Sequence, residues 1–133
     1  MYTFTLEELT HYHCKVKVFA LGVNGKILFK EFVNDIKSDN QLAPELGDLI
    51  PAIKYFADGK TPFLPNYRFK KLKLGKLPYS GYEAKSKHLR VYLFTDEEGV
   101  INILGGYKVD QNSDLEKVKI ILKEYHTHKL KQK

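Results

Sequence analysis

The order of apolar and polar positions splits the chain into a helical first half and a strand-rich second half. "CKVKVFAL", residues 14–21, alternates Lys15 and Lys17 with Val16 and Val18 and then turns wholly apolar, as a strand does on entering a core. In "KILFKEFVNDIK", residues 26–37, Leu28, Phe32 and Ile36 recur every fourth position with Phe29 and Val33 beside them, which predicts an amphipathic helix. The preceding Asn24-Gly25 is a strong hairpin turn, so a second strand over 26–33 competes with that helix; the spacing through Ile36 favours the helix. Asp48 can cap a second helix over 49–58, with Pro51 in its first turn, Ile50, Ile53 and Phe56 or Ala57 inward, and Gly59 as the stop. Near the start, Thr5-Leu6-Glu7-Glu8 matches a capping box and predicts a short helix over 6–12.

Two prolines make "KTPFLPN", residues 60–66, extended. "YRFKKLKL", "YSGYEAK", "HLRVYLFT" and "VINILGGYK" then read as strands, the last two joined by the acidic turn Asp96-Glu97-Glu98-Gly99. A period of two sets Leu89, Val91 and Leu93 against Arg90, Tyr92 and Phe94. In the next strand it sets Asn102 and Lys108 against Ile101, Ile103 and Tyr107. Without a bulge at Gly105-Gly106, these parities predict an aliphatic face packed on helices and a bare face carrying Arg90, Asn102 and Lys108. Ser113-Asp114-Leu115-Glu116 is a second capping box, opening a helix with the stripe Leu115, Val118, Leu122 and Tyr125; the polar tail 126–133 is expected to fray. The whole reads as one α+β domain over 1–133, with residues 1–13 as an N-terminal extension.

Composition changes this picture little, but charge changes it more. The 133 residues, 43% hydrophobic and 13% aromatic, can fill one core. No apolar run approaches a membrane span, and "MYTFTLEELTHYH" has neither a basic n-region nor an apolar h-region, so an unexported, cytoplasmic protein is expected. A lone cysteine, Cys14, and the lack of zinc-ligand spacing predict neither disulfide nor metal. His11 and His13 carry no evident partner. The formal charge of +6 is uneven: residues 67–90 hold eight Lys/Arg against Glu83 alone, and 117–133 hold six Lys against Glu124. A dense basic segment is the footprint of a polyanion binder, although a solvated lysine-rich surface is the commoner meaning of such a run.

Tyr82-Glu83-Ala84-Lys85, Leu89-Arg90-Val91-Tyr92 and Leu104-Gly105-Gly106-Tyr107-Lys108, followed by a capped helix, make residues 67–125 resemble the RelE/HigB/ParE-type toxin superfamily of toxin-antitoxin modules. Over 14–66 only the order of elements matches. The resemblance implies an antiparallel sheet with two helices after the first strand on one face, and a C-terminal helix. In nuclease members it implies cleavage of messenger RNA on the ribosome without metal or cofactor: the 2′-hydroxyl attacks the neighbouring phosphate and leaves a 2′,3′-cyclic phosphate. Such chemistry needs cations where charge grows on phosphate, which guanidinium suits, and groups that move protons.

By this resemblance Arg90 is the strand arginine, Lys108 meets the phosphate from the end of the last strand, and Lys85 positions it. Proton transfer falls to Glu83, His88 or Tyr107, with Tyr125, His126 and His128 behind them; Asp114 stands where one subgroup has a tyrosine. Lys70, Lys71, Lys73, Lys76, Lys85 and Lys87 are the expected RNA-backbone contacts. Plainer roles compete, since Arg90 can be the cross-strand partner of Glu83 and Tyr107 can be core filler. The implied partners are a cognate antitoxin and ribosome-bound messenger RNA. ParE-type relatives instead inhibit DNA gyrase and cut no RNA, so the alternative is a non-catalytic binding toxin or a repurposed interaction module.

Overall fold

A run with no polar side chain, Val18-Phe19-Ala20-Leu21-Gly22-Val23, needs cover on both faces and partners on both edges. In the computed structural model, which describes residues 2–60, 68–107 and 111–132, with the side chains of His11, Arg68, Tyr107, Gln111 and Asn112 left aside, this run is β2 (Val18–Val23) and has both. One edge pairs antiparallel with β1 (Phe4–Glu8) and the other runs parallel to β7 (Gly99–Tyr107). Antiparallel pairs then lead through β6 (Leu89–Asp96) and β5 (Ser80–Lys85) to β4 (Arg68–Leu72), so the order is β1-β2-β7-β6-β5-β4. The two-residue β3 (Lys26–Ile27) folds back on β2 through Asn24 and Gly25, both left-handed at φ 52° and 83°. The fold is α+β, and the β2–β7 pair makes the sheet mixed rather than antiparallel.

Helices cover both faces. On one side, Phe29, Phe32 and Ile36 of α1 (Leu28–Lys37) and Leu46, Leu49 and Ile53 of α2 (Ala43–Ala57) pack on Val18, Ala20, Ala84, Leu89, Val91 and Leu93. On the other, Val118, Ile121, Leu122 and Tyr125 of α3 (Gln111–Lys131) pack on Leu21, Tyr92, Phe94, Ile101 and Ile103. The face expected to be bare is therefore closed by α3. No described helix is long and apolar enough to cross a membrane.

Three boundaries depart from expectation. Residues 4–8 form an edge strand instead of a helix, because Phe4 and Leu6, two apart, both pack under α3 and outweigh the capping-box match. Residues 1–13 are thus partly built into the sheet. α2 starts at Ala43 rather than 49, since Asp39 Oδ1 accepts from the N–H groups of Gln41 and Leu42 and Pro44 is preset for a first turn, which leaves Pro51 inside the helix. The tail stays helical to Lys131, where Lys129 Nζ donates to Glu97 at 2.7 Å and Asp96 at 3.3 Å. The extended reading of 60–66 lies, beyond Lys60, outside the described residues.

The decisive irregularity is a register shift between Tyr92 and Leu93, opposite Ile103. Tyr92 pairs with Leu104 but Leu93 pairs with Asn102, so Asn102 joins the α1/α2 face, opposite to Arg90. The same shift puts Gly105 across from Val91 and Gly106 across from Arg90. A Cβ on Gly105 would meet the Phe32 ring at 2.2 Å, and one on Gly106 would meet Asp114 Oδ2 at 1.9 Å. The glycine pair admits the chain's own side chains, one from each helical layer. Gly105→Ala should destabilise by about 1–3 kcal/mol through overpacking. Gly47→Ala, on an exposed α2 position with no neighbour within 4 Å, should stabilise by about 0.5–1 kcal/mol. Urea midpoints of the two variants check both signs.

Candidate nucleic-acid interface

Alternation along β6 sends Arg90, Tyr92 and Phe94 to the α3 face, and pairing with β5 brings Lys85 across from Arg90 and Glu83 across from Tyr92. Arg90 is 1% exposed and Glu83 1%, with Arg90 Nε 3.9 Å from Glu83 Oε2. Asp114, in the first turn of α3, lays its carboxylate against Gly106, the residue paired with Arg90. Burial, and after it the Glu83 carboxylate, raises the Tyr92 hydroxyl well above the usual tyrosine range, with Arg90 opposing and Asp114 reinforcing the shift. The expectation of a solvent-facing Arg90 is therefore corrected: α3 occupies the face that was to present it, and Glu83 of β5 lies beside the cation.

The exposed positive charge lies farther along the basic segment. Lys70, Lys71, Lys73, Lys76 and Lys87 are exposed and Lys85 is half-buried. β4 is the last strand of the sheet among the described residues. Lys70 Nζ lies 3.8 Å from Glu83 Oε1, so the buried acid is shared between Arg90 and the edge. On the α2 side of the same edge, Lys71 pairs with Tyr82 and Phe69 with Ala84. The Phe69 and Tyr82 rings stack with centroids 5.6 Å apart and planes at 20°, and Phe56 of α2 tilts against both at 5.0 and 4.6 Å.

His88 leaves the Arg90 cluster altogether. At the β5–β6 turn it faces α2, where the buried Glu45 carboxylate accepts from the His88 backbone N–H at 2.7 Å, from the Ser86 hydroxyl and from His88 Nδ1 at 2.6 Å. Burial pushes Glu45 up, but hydrogen bonds from Ser86 and His88 outweigh it and hold the carboxyl below its usual range. An ionised carboxylate only accepts, so Nδ1 carries the hydrogen. The imidazole is half exposed, at 54%. This is a clamp between the hairpin turn and the start of α2.

Of the residues named from the sequence, then, Glu83, Arg90 and Lys85 share the α3 face, while His88 belongs to the α2 face. Lys108 lies outside the described residues, and of Tyr107 only the backbone, paired with Leu89, is described. Among the described residues no three His, Cys, Asp or Glu gather as a metal site. Sequence reasoning missed Glu45, whose distance from His88 in the chain gave no signal. It also missed Phe69 and Tyr82 as a pair, whose interleaving with lysines in "RFKKLK" and "YEAK" was such a signal.

No family model matches the chain, and neither a curated protein nor a solved structure matches it.

Removing the Arg90 side chain would strand buried acid, so Arg90→Ala should lose about 3–5 kcal/mol in urea unfolding, where an exposed strand arginine would lose almost nothing. Glu45, with its folded pKa depressed, adds stability that is complete above the ordinary glutamate range and fades as pH falls through the lower folded value. Glu45→Gln should therefore unfold more easily at pH 7, by about 1–3 kcal/mol, with the gap to wild type closing in acid. Thermal unfolding scanned from pH 7 to pH 3 measures that convergence.

Proposed function

We propose that the chain is a toxin of the RelE/HigB/ParE type that acts by binding rather than cutting, with RNA held along the lysine-rich β4–β5 edge and a cognate antitoxin as its neutralising partner. The observation that carries this reading is the division of charge. The one arginine placed for phosphate chemistry is buried beside acids, while Lys70, Lys71, Lys73, Lys76 and Lys87 stand exposed around one sheet edge. Ammonium groups at the surface neutralise phosphates without reading sequence, so affinity should fall steeply with salt. A guanidinium that does not reach solvent cannot meet a phosphorane.

A second reading, the ribosome-dependent nuclease, draws on the gathering of Arg90, Glu83, Lys85 and Tyr92 on one face. It requires the first turn of α3 to leave Arg90 before any phosphate arrives. Ribosomes programmed with a translated message and given wild-type protein separate the two. Under the binding reading the message stays intact while the protein is retained on RNA. Changing Lys70, Lys71 and Lys73 together to Gln should weaken retention by at least tenfold and flatten its salt dependence by about three phosphate contacts. Fragments ending in a 2′,3′-cyclic phosphate would move the assignment to the nuclease. Inhibited gyrase supercoiling without RNA retention would move it to the ParE type.

A further inference from the structure

The lysine edge explains attraction to a polyanion but not which form of it fits. Phe69 and Tyr82 alternate with lysines on adjacent strands and their side chains share the α2 face, with Lys71 directly across from Tyr82. The two rings lie nearly parallel, 5.6 Å apart at 20°, and Phe56 supports them from α2. All three are only half-buried, at the rim of the α1/α2 core and not inside it. Flat aromatic surface beside ammonium groups is what unpaired bases use, because every base has a π face and every linking phosphate a charge. A duplex keeps its bases stacked inside and offers such rings nothing but backbone.

We infer that Phe69 and Tyr82, backed by Phe56 and flanked by Lys71, form a stacking platform that makes the β4–β5 edge select single-stranded RNA over duplex. This rests on the RNA-binding reading and names its substrate class. Charge complementarity chooses the occupant, since Lys71 shares the face of Phe69 and Tyr82 and Lys73 follows in the loop after β4, while Lys70 turns to Glu83 on the other face. A ligand strand laid along β4 would place bases against the rings and phosphates against the lysines. Arg90, on the opposite face, takes no part.

Fluorescence anisotropy with the full chain, a labelled unstructured 12-nucleotide RNA and a labelled 12-base-pair RNA duplex tests the platform. Wild type should bind the single strand at least about tenfold more tightly, and Tyr82→Leu, which keeps apolar packing, should weaken the single strand about tenfold and leave the duplex unchanged. The chain has no tryptophan, so Tyr82→Trp installs a unique reporter whose emission should be quenched by the single strand and not by the duplex. Equal binding of both RNAs by wild type, or binding of the single strand with no quenching of that tryptophan, overturns the platform and leaves the lysine edge standing. Binding of neither RNA overturns the edge itself, and the platform with it.

Discussion

A guanidinium buried in a sheet face is the constraint around which the second half of this fold is arranged. Arg90 is 1% exposed, and a cation withdrawn from water to that degree needs carboxylates near it. Glu83 comes from the neighbouring strand, its Oε2 3.9 Å from Arg90 Nε, while Asp114, from the first turn of α3, lies against Gly106, the residue paired with Arg90. Asp114 reaches this place only because the residue paired with Arg90 is glycine, whose absent Cβ leaves the carboxylate its space. The register shift at Tyr92/Leu93 is what aligns that glycine with Arg90. Charge, glycine, bulge and helix start therefore meet at one place, and α3 covers this face through Val118, Ile121, Leu122 and Tyr125.

The cations of this region thus divide by exposure. Arg90 is spent on the fold. The lysines of β4 and the segment after it are left to solvent, in company with aromatic rings that the α1/α2 core does not enclose. Lys70 links the two populations, since it stands exposed yet lies within ion-pair range of the buried Glu83. At the far end of the sheet the opposite has happened. The acidic turn at Asp96 and Glu97 is bonded by Lys129, and Tyr125 donates to Asp96 at 3.0 Å, so acid there is bound up with α3.

What the sequence disclosed follows from how local each cause is. The strands of the second half, the α1 stripe through Ile36 and the α3 stripe were legible because each is written in a window of about a dozen residues. The edge strand at 4–8 was hidden by a capping box that competes with a two-residue alternation, and only packing under α3 decides between them. The α2 start was hidden because Asp39 acts through side-chain bonds to Gln41 and Leu42, before the apolar spacing begins. Least legible was the facing of side chains beyond the bulge. One extra residue at Ile103 puts the positions on its two sides out of phase, so Asn102 lies on the face opposite Arg90 and Gly106 instead of sharing it. The clamp of Glu45 on Ser86 and His88 joins segments some forty residues apart, for which a single sequence holds no pattern.

The central claim is that the cation at Arg90 is structural and the working cations are those of the β4–β5 edge. Its most direct measure is a two-dimensional nitrogen–proton NMR titration with the unstructured RNA, following the backbone amides of the edge and the Arg90 Nε–H together. The account predicts shifts across Phe69 to Lys73 and Tyr82 to Lys85, with an Arg90 resonance that exchanges slowly with water and does not respond to RNA. A rapidly exchanging Arg90 signal, or perturbation centred on it while the edge stays silent, would contradict the account.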